Sequence, residues 1–134
     1  MPIIPLDVTI AGLIPEGQHT ATVAKLDYQI KTGDKWNKDG TSTTTFDEWS
    51  KFDAQRKRLH YVISVPGRGN IFHDLYVMES AAGFVQSFLK ACGVPYSKEG
   101  FDAEACIGRQ VGINMGIKED PNYGPQNTFT FYKV

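Results

Sequence analysis

Cysteine, histidine and net charge are all scarce in this chain; the first two close off classes of function, and a bulk charge near zero does not by itself advertise a nucleic-acid binder. Its 134 residues hold two cysteines and three histidines, and the formal charge is −1. Cys92 and Cys106 stand outside any C-x-x-C spacing, and His19, His60 and His73 are isolated from one another and from the cysteines. Such a set predicts neither a zinc site nor another metal centre, and no cofactor motif accompanies it. His73-Asp74 is half of a general-base pair, but no serine elbow or locally partnered cysteine completes a nucleophile. The chain therefore reads as a non-enzyme. No run approaches the roughly 18 apolar residues of a membrane-spanning helix, so no membrane partner is expected. The opening MPIIPLDVTIAG has no basic stretch leading into a continuous apolar one. No secretory signal is read there, and the cysteines are expected to stay reduced in a cytoplasm.

What the chain does have is the composition of one ordinary domain and one unusual insert. A hydrophobic content of 41% and a charged content of 22% suit a soluble globular fold, and the length suffices for a single core. Between Ile30 and Leu59 runs the polar segment KTGDKWNKDGTSTTTFDEWSKFDAQRKR, which interleaves Trp36, Phe46, Trp49 and Phe52 with basic residues. Residues 31–58 hold seven Lys/Arg against five Asp/Glu, a local charge of +2 that leaves −3 for the rest of the chain. Loops this long in a compact domain are usually functional or disordered. Aromatics beside a basic track are the means by which single strands are held without reading their sequence. The alternative is a hairpin whose aromatics tuck back onto the core.

The periodicity predicts five strands. Residues 1–16, cut by Pro2, Pro5 and Pro15, read as an extended arm that packs on a neighbouring element or on another subunit of a homodimer or higher homo-oligomer. Residues 17–31 form a long strand whose parity changes near Ala24, the mark of a bulge. Arg58 to Val65 alternates cleanly, with Leu59, Tyr61, Ile63 and Val65 on one face and Arg58, His60, Val62 and Ser64 on the other. The turn Pro66-Gly67-Arg68-Gly69-Asn70 leads into a strand over Ile71–Met78. Residues 79–92 switch to helical spacing, with Ser80 as the expected N-cap and Gly93 and Pro95 as the stop. A short helical turn over residues 101–106 precedes a strand over 111–117, whose Gly112 and Gly116 leave room for close approach. A loop, KEDPNYGPQ, leads to a last strand over 127–134.

Strand, long loop, strand, turn, strand, helix, strand, loop, strand is the order of a five-stranded Greek-key barrel of the oligonucleotide/oligosaccharide-binding (OB) kind. Ligands of that fold lie across strands 2 and 3 and on the loops joining strands 1–2 and 4–5. The expectation is all-β with one helix, the helix between strands 3 and 4 and the long loop between strands 1 and 2. Residues 17–134 would make a single domain with an insert at 32–57. An open α+β sheet and a β-sandwich are the competing architectures.

On that frame, Lys25, Lys31, Lys35, Arg56, Arg58 and Arg68 are the candidates to meet phosphates, and Trp36 and Trp49 to stack bases. His60 shares the outer parity of its strand with Arg58. Phe72 and Tyr76 share one parity of the next strand and would stack bases from the same side. The opposite assignment, with Phe72 and Tyr76 in the core and Ile71, Leu75 and Val77 outside, stays open, because exposing Phe72 requires His73 to point inward.

Four stretches carry a resemblance: Ile14-Pro-Glu-Gly-Gln-His-Thr-Ala-Thr-Val, Gly69-Asn-Ile-Phe-His-Asp-Leu-Tyr-Val, Phe88-Leu-Lys-Ala-Cys-Gly-Val-Pro95 and Cys106-Ile-Gly-Arg-Gln-Val111. In them the chain resembles a family of phage-encoded single-stranded-DNA-binding proteins of the OB fold, long listed as a domain of unknown function. The resemblance implies sequence-independent binding of single-stranded DNA during phage DNA replication or recombination. It places the protein in the cytoplasm of an infected bacterium, with replication or recombination proteins as partners. A phage structural or assembly protein that uses the same barrel for protein contacts is the alternative function.

Overall fold

The computed structural model describes residues 13–36 and 40–134, so the predicted arm over residues 1–16 lies mostly outside the described residues. Among the described residues six strands form one antiparallel sheet: β1 (Gly17–Lys31), β2 (Thr41–Thr44), β3 (Lys57–Val65), β4 (Gly69–Leu75), β5 (Gln110–Asp120) and β6 (Gly124–Tyr132). Their order is β4-β3-β1-β5-β6, with β2 attached to the end of β1. A short helix α1 (Phe46–Ser50) follows β2, and the main helix α2 (Ala82–Cys92) lies between β4 and β5. Helical spacing placed α2, and clean alternation placed β3.

The length of β1 organises the sheet. Its first residues, Gly17 to Thr22, pair with β5, whereas Thr22 to Ile30 pair with β3 on the opposite edge. The edge that β5 leaves is taken over by β2 at Tyr28 to Lys31. Between these two regions the register with β3 shifts between Val23 and Lys25, which leaves Ala24 as an extra residue. This is the bulge read from the parity change, and it adds the twist that curls the sheet.

The inner face is continuous and apolar. Val23, Leu59, Tyr61, Ile63, Phe88 and Ile113 are each no more than 1% exposed. Burying side chains of this size contributes about 1.5–3 kcal/mol apiece, which is what makes the alternation of β3 decisive for its orientation. Among the described residues the sheet does not close: β4 and β6 are its two edges and share no ladder. Aromatic side chains fill the gap between them. The His73 ring of β4 lies 4.7 Å from Phe131 of β6, and Phe88 of α2 packs against both, at 5.0 and 5.2 Å between centroids. Helix α2 thus seals the inner face at the seam.

Several boundaries differ from the sequence expectation. Ser80 does not cap α2; a 3-10 turn over Glu79–Ala81 precedes it, and Ala81 is the N-cap without a side-chain hydrogen bond. The helix stop is as expected, because Gly93 takes the left-handed conformation (φ 72°), its N–H donates to Lys90 O, and Val94 N–H donates to Leu89 O. That pair of bonds satisfies carbonyls that would otherwise be orphaned. The loop expected at 118–126 is instead ladder. β5 and β6 continue to the pair Asp120–Gly124, and the Asp120 carboxylate accepts from Asn122 and Tyr123 N–H. The polar run Lys118-Glu119-Asp120 hid this because an edge hairpin facing water needs no apolar alternation. Gly112 owes its smallness to the chain itself, since a Cβ there would collide with the Tyr132 ring.

Candidate nucleic-acid interface

The outer face of β1, β3 and β4 carries most of the residues that the sequence singled out. Directly paired residues of neighbouring strands point the same way, so the register builds rows across the sheet. One row is Lys25, Val62 and Phe72; the next is Asp27, His60 and Asp74; Gln29 and Arg58 begin a third. Ile71 and Leu75 are buried on the inner face, whereas Phe72 is 57% exposed. The open question about β4 is therefore decided by His73, which does point inward. Its burial lowers its pKa from the ordinary 6.5 to about 4, so the ring sits neutral among Phe88, Phe129 and Phe131.

Arg58 is the hub of this face. Its Nε donates to Gln29 Oε1 at 2.8 Å, one terminal nitrogen donates to the Tyr76 hydroxyl at 3.3 Å, and the other donates to Trp36 O at 3.4 Å. The Asp74 carboxylate stands 3.4 Å away. The guanidinium carbon also lies 4.6 Å from the Trp36 ring centre, and Lys31 Nζ lies 5.8 Å from the same ring. Trp36 in turn meets Tyr76 edge to face at 5.8 Å. A segment from the insert thereby folds over the sheet, and one guanidinium organises it. His60 lies flat on Phe72 and shares a 2.6 Å hydrogen bond with Asp74. The face thus has two aromatic platforms, His60/Phe72 and Trp36/Tyr76, with Arg58 between them.

Lys25 and Lys31 flank these platforms, but Lys25 is 3.4 Å from Asp27 and Arg58 is paired with Asp74. The sequence reading missed those two carboxylates and Gln29. Their signal was present, since counting back from the Pro66–Arg68 turn places Asp74 opposite His60. Arg56 donates to Lys31 O at 2.9 Å and is exposed, as is Lys35. Arg68 is exposed in the β3–β4 turn, at the other end of the hairpin from Arg58.

Trp49 is a correction. As a base-stacking platform it needs an open face, yet it is 7% exposed and belongs to the core. Its indole N–H donates to Arg58 O at 3.0 Å, Tyr28 and Phe46 pack on it at 5.6 and 6.0 Å, and the Lys57 ammonium sits 4.4 Å from its ring. Helix α1 drives it inward: Thr45 accepts from Glu48 N–H as N-cap and aligns the buried Trp49 one turn on. A Thr-x-x-Glu pattern marks such a helix start, and Thr45 to Glu48 displays it.

Cys92 and Cys106 are both free and buried. Among the described residues no group of three or more His, Cys, Asp or Glu side chains is placed to hold a metal ion, and no helix is long and apolar enough to cross a membrane. The chain matches no family model and no curated protein sequence.

Proposed function

We propose that this protein binds single-stranded DNA without reading its sequence, through the outer face of β1, β3 and β4, and that it is not an enzyme. The observation that carries this reading is the exposed Phe72 stacked with His60 beside the Trp36–Arg58–Tyr76 cluster. Phe72 packs on His60 yet leaves more than half of its surface in water, and two platforms separated by a guanidinium suit successive bases and the phosphate between them. Each stacked base contributes on the order of 1–3 kcal/mol.

The strand order supports an OB-type barrel as the frame. With β2 set aside as part of the insert, the five principal strands run 3-2-1-4-5 across the sheet, and the helix lies between the third and fourth. A five-stranded, partly open Greek-key barrel has that arrangement, and its ligands lie on strands 2 and 3, here β3 and β4. The resemblance to phage single-stranded-DNA-binding proteins agrees with this assignment. It extends the proposal to phage DNA replication or recombination in the cytoplasm of the infected host, with the proteins of that process as partners.

Titration with a fluorescent oligothymidine and with a duplex of equal length tests the proposal. Micromolar or tighter binding of the single strand at low salt, much weaker binding of the duplex, and affinity that falls steeply with salt are expected. Equal affinity for both nucleic acids, or for neither, contradicts it.

A further inference from the structure

Away from the outer face, a cleft opens where the ends of β1 and β4 meet α1, α2 and the segment 96–104. It has two lobes of about 350 and 360 Å³ that share Val77, Gly100 and Phe101 as a common wall. One lobe runs along α2, over Ala82, Val85 and Leu89; the other is floored by Tyr28, Phe46, Trp49 and Leu59. Phe46 in the second lobe is 54% exposed and Val77 in the wall is 37% exposed, so apolar groups stand open to water here. Among the described residues every charged one lining the two lobes is acidic: Glu79 at the first, Asp102 and Glu104 at the second. Lys57, the cation lying over Trp49, is already engaged with Ser50 O at 3.3 Å. Burial, with the negative charge of Glu104 and Asp102 adding to it, pushes the Tyr28 hydroxyl up to about 12, so it stays protonated in this lobe.

We propose that this cleft is a docking groove for an extended protein segment that carries apolar side chains alternating with lysine or arginine. Two apolar lobes on either side of one wall offer a place for each of two side chains on the same face of an extended chain. The acidic rim selects cations and repels a phosphate backbone, so the groove and the outer face take partners of opposite charge. Groups of this volume and apolar character are typical of ligand clefts.

The two tryptophans separate the sites. With Trp36→Phe in place, Trp49 is the sole tryptophan and reports on the groove. A six-residue peptide of alternating leucine and arginine is added to this variant, and its counterpart with glutamate in place of arginine serves as the comparison. Saturable change of Trp49 emission with the arginine peptide, and none with the glutamate peptide, is expected. Combining Glu104→Gln with Asp102→Asn should weaken peptide binding at least tenfold, and Val77→Lys should abolish it by filling the common wall. Neither change should alter oligothymidine affinity in the protein with both tryptophans. Equal response to the two peptides, no response to the arginine peptide, or indifference to these substitutions overturns the groove. Loss of oligothymidine binding alone overturns the DNA reading and leaves the groove standing.

Discussion

The imidazole of His60 lies nearly parallel to the ring of Phe72, 5.3 Å away and inclined by 16°. If the proposed single-strand binding is right, this pair receives a nucleobase on the exposed face of Phe72 without either ring moving. Replacing Phe72 by Ala is expected to weaken oligothymidine binding by about 1–3 kcal/mol. Thermal stability should shift by less than about 0.5 kcal/mol, the usual range for a surface position. Isothermal titration and a melting curve of the same variant measure the two effects. A variant that binds normally would remove Phe72 from the interface.

The two tryptophans of the insert should separate in the same experiment. Trp49→Ala removes a buried ring and strands Arg58 O, so a loss of about 3–5 kcal/mol of folding free energy is expected. Trp36→Ala removes a partly exposed ring that touches Arg58, Lys31 and Tyr76. It should cost little stability and weaken single-strand binding by about 1–3 kcal/mol. Chemical denaturation and titration side by side decide the matter, and equal destabilisation by both substitutions would show that Trp36 is also structural.

Much of the frame could be read from the chain before any coordinates. The alternation of Leu59, Tyr61, Ile63 and Val65, the parity change at Ala24 and the Gly93 stop each follow from one local rule, and each holds in the structure. What escaped depends on partners distant in sequence. The inward turn of His73 is settled by Phe88 and Phe131, and the fate of Trp49 by Tyr28 and Arg58, contacts that no local period encodes. At the candidate site the cations were visible, but the carboxylates that neutralise them were not weighed. Asp27 stands two residues from Lys25 on one face of β1, a pair the strand period itself encodes, whereas Asp74 meets Arg58 only through the register of β3 with β4.

Asp74 is therefore the place where binding can be strengthened. It stands 3.4 Å from the Arg58 guanidinium and accepts from His60, so an incoming phosphate competes with it for both. Asp74→Asn leaves a hydrogen-bonding side chain and removes the charge. The expected result is a severalfold gain in oligothymidine affinity with a steeper decline against salt, since Arg58 then releases counterions fully. The accompanying loss of stability should stay within about 1 kcal/mol, the scale of partly exposed ion pairs. A weaker-binding Asp74→Asn protein would mean that the carboxylate orients Arg58 and His60 for the ligand.

His73 makes the seam between β4 and β6 sensitive to acid. Burial lowers its pKa from 6.5 to about 4, so between those values the unfolded chain binds a proton that the native protein refuses. Stability from this group is complete above pH 6.5 and declines as the pH falls toward 4, with a total of about 3 kcal/mol. Below pH 4 both states are protonated and the decline from His73 stops. His73→Phe keeps an aromatic ring against Phe88 and Phe131 and has no proton to bind, so its stability should be flatter across the same window. The comparison is made by urea unfolding at half-unit steps from pH 7.5 to 4 on both proteins, and the difference between the two curves isolates His73 from every other titrating group. Parallel curves would place the histidine in water, and the aromatic closure of the open sheet would then have to rest on Phe88 and Phe131 alone.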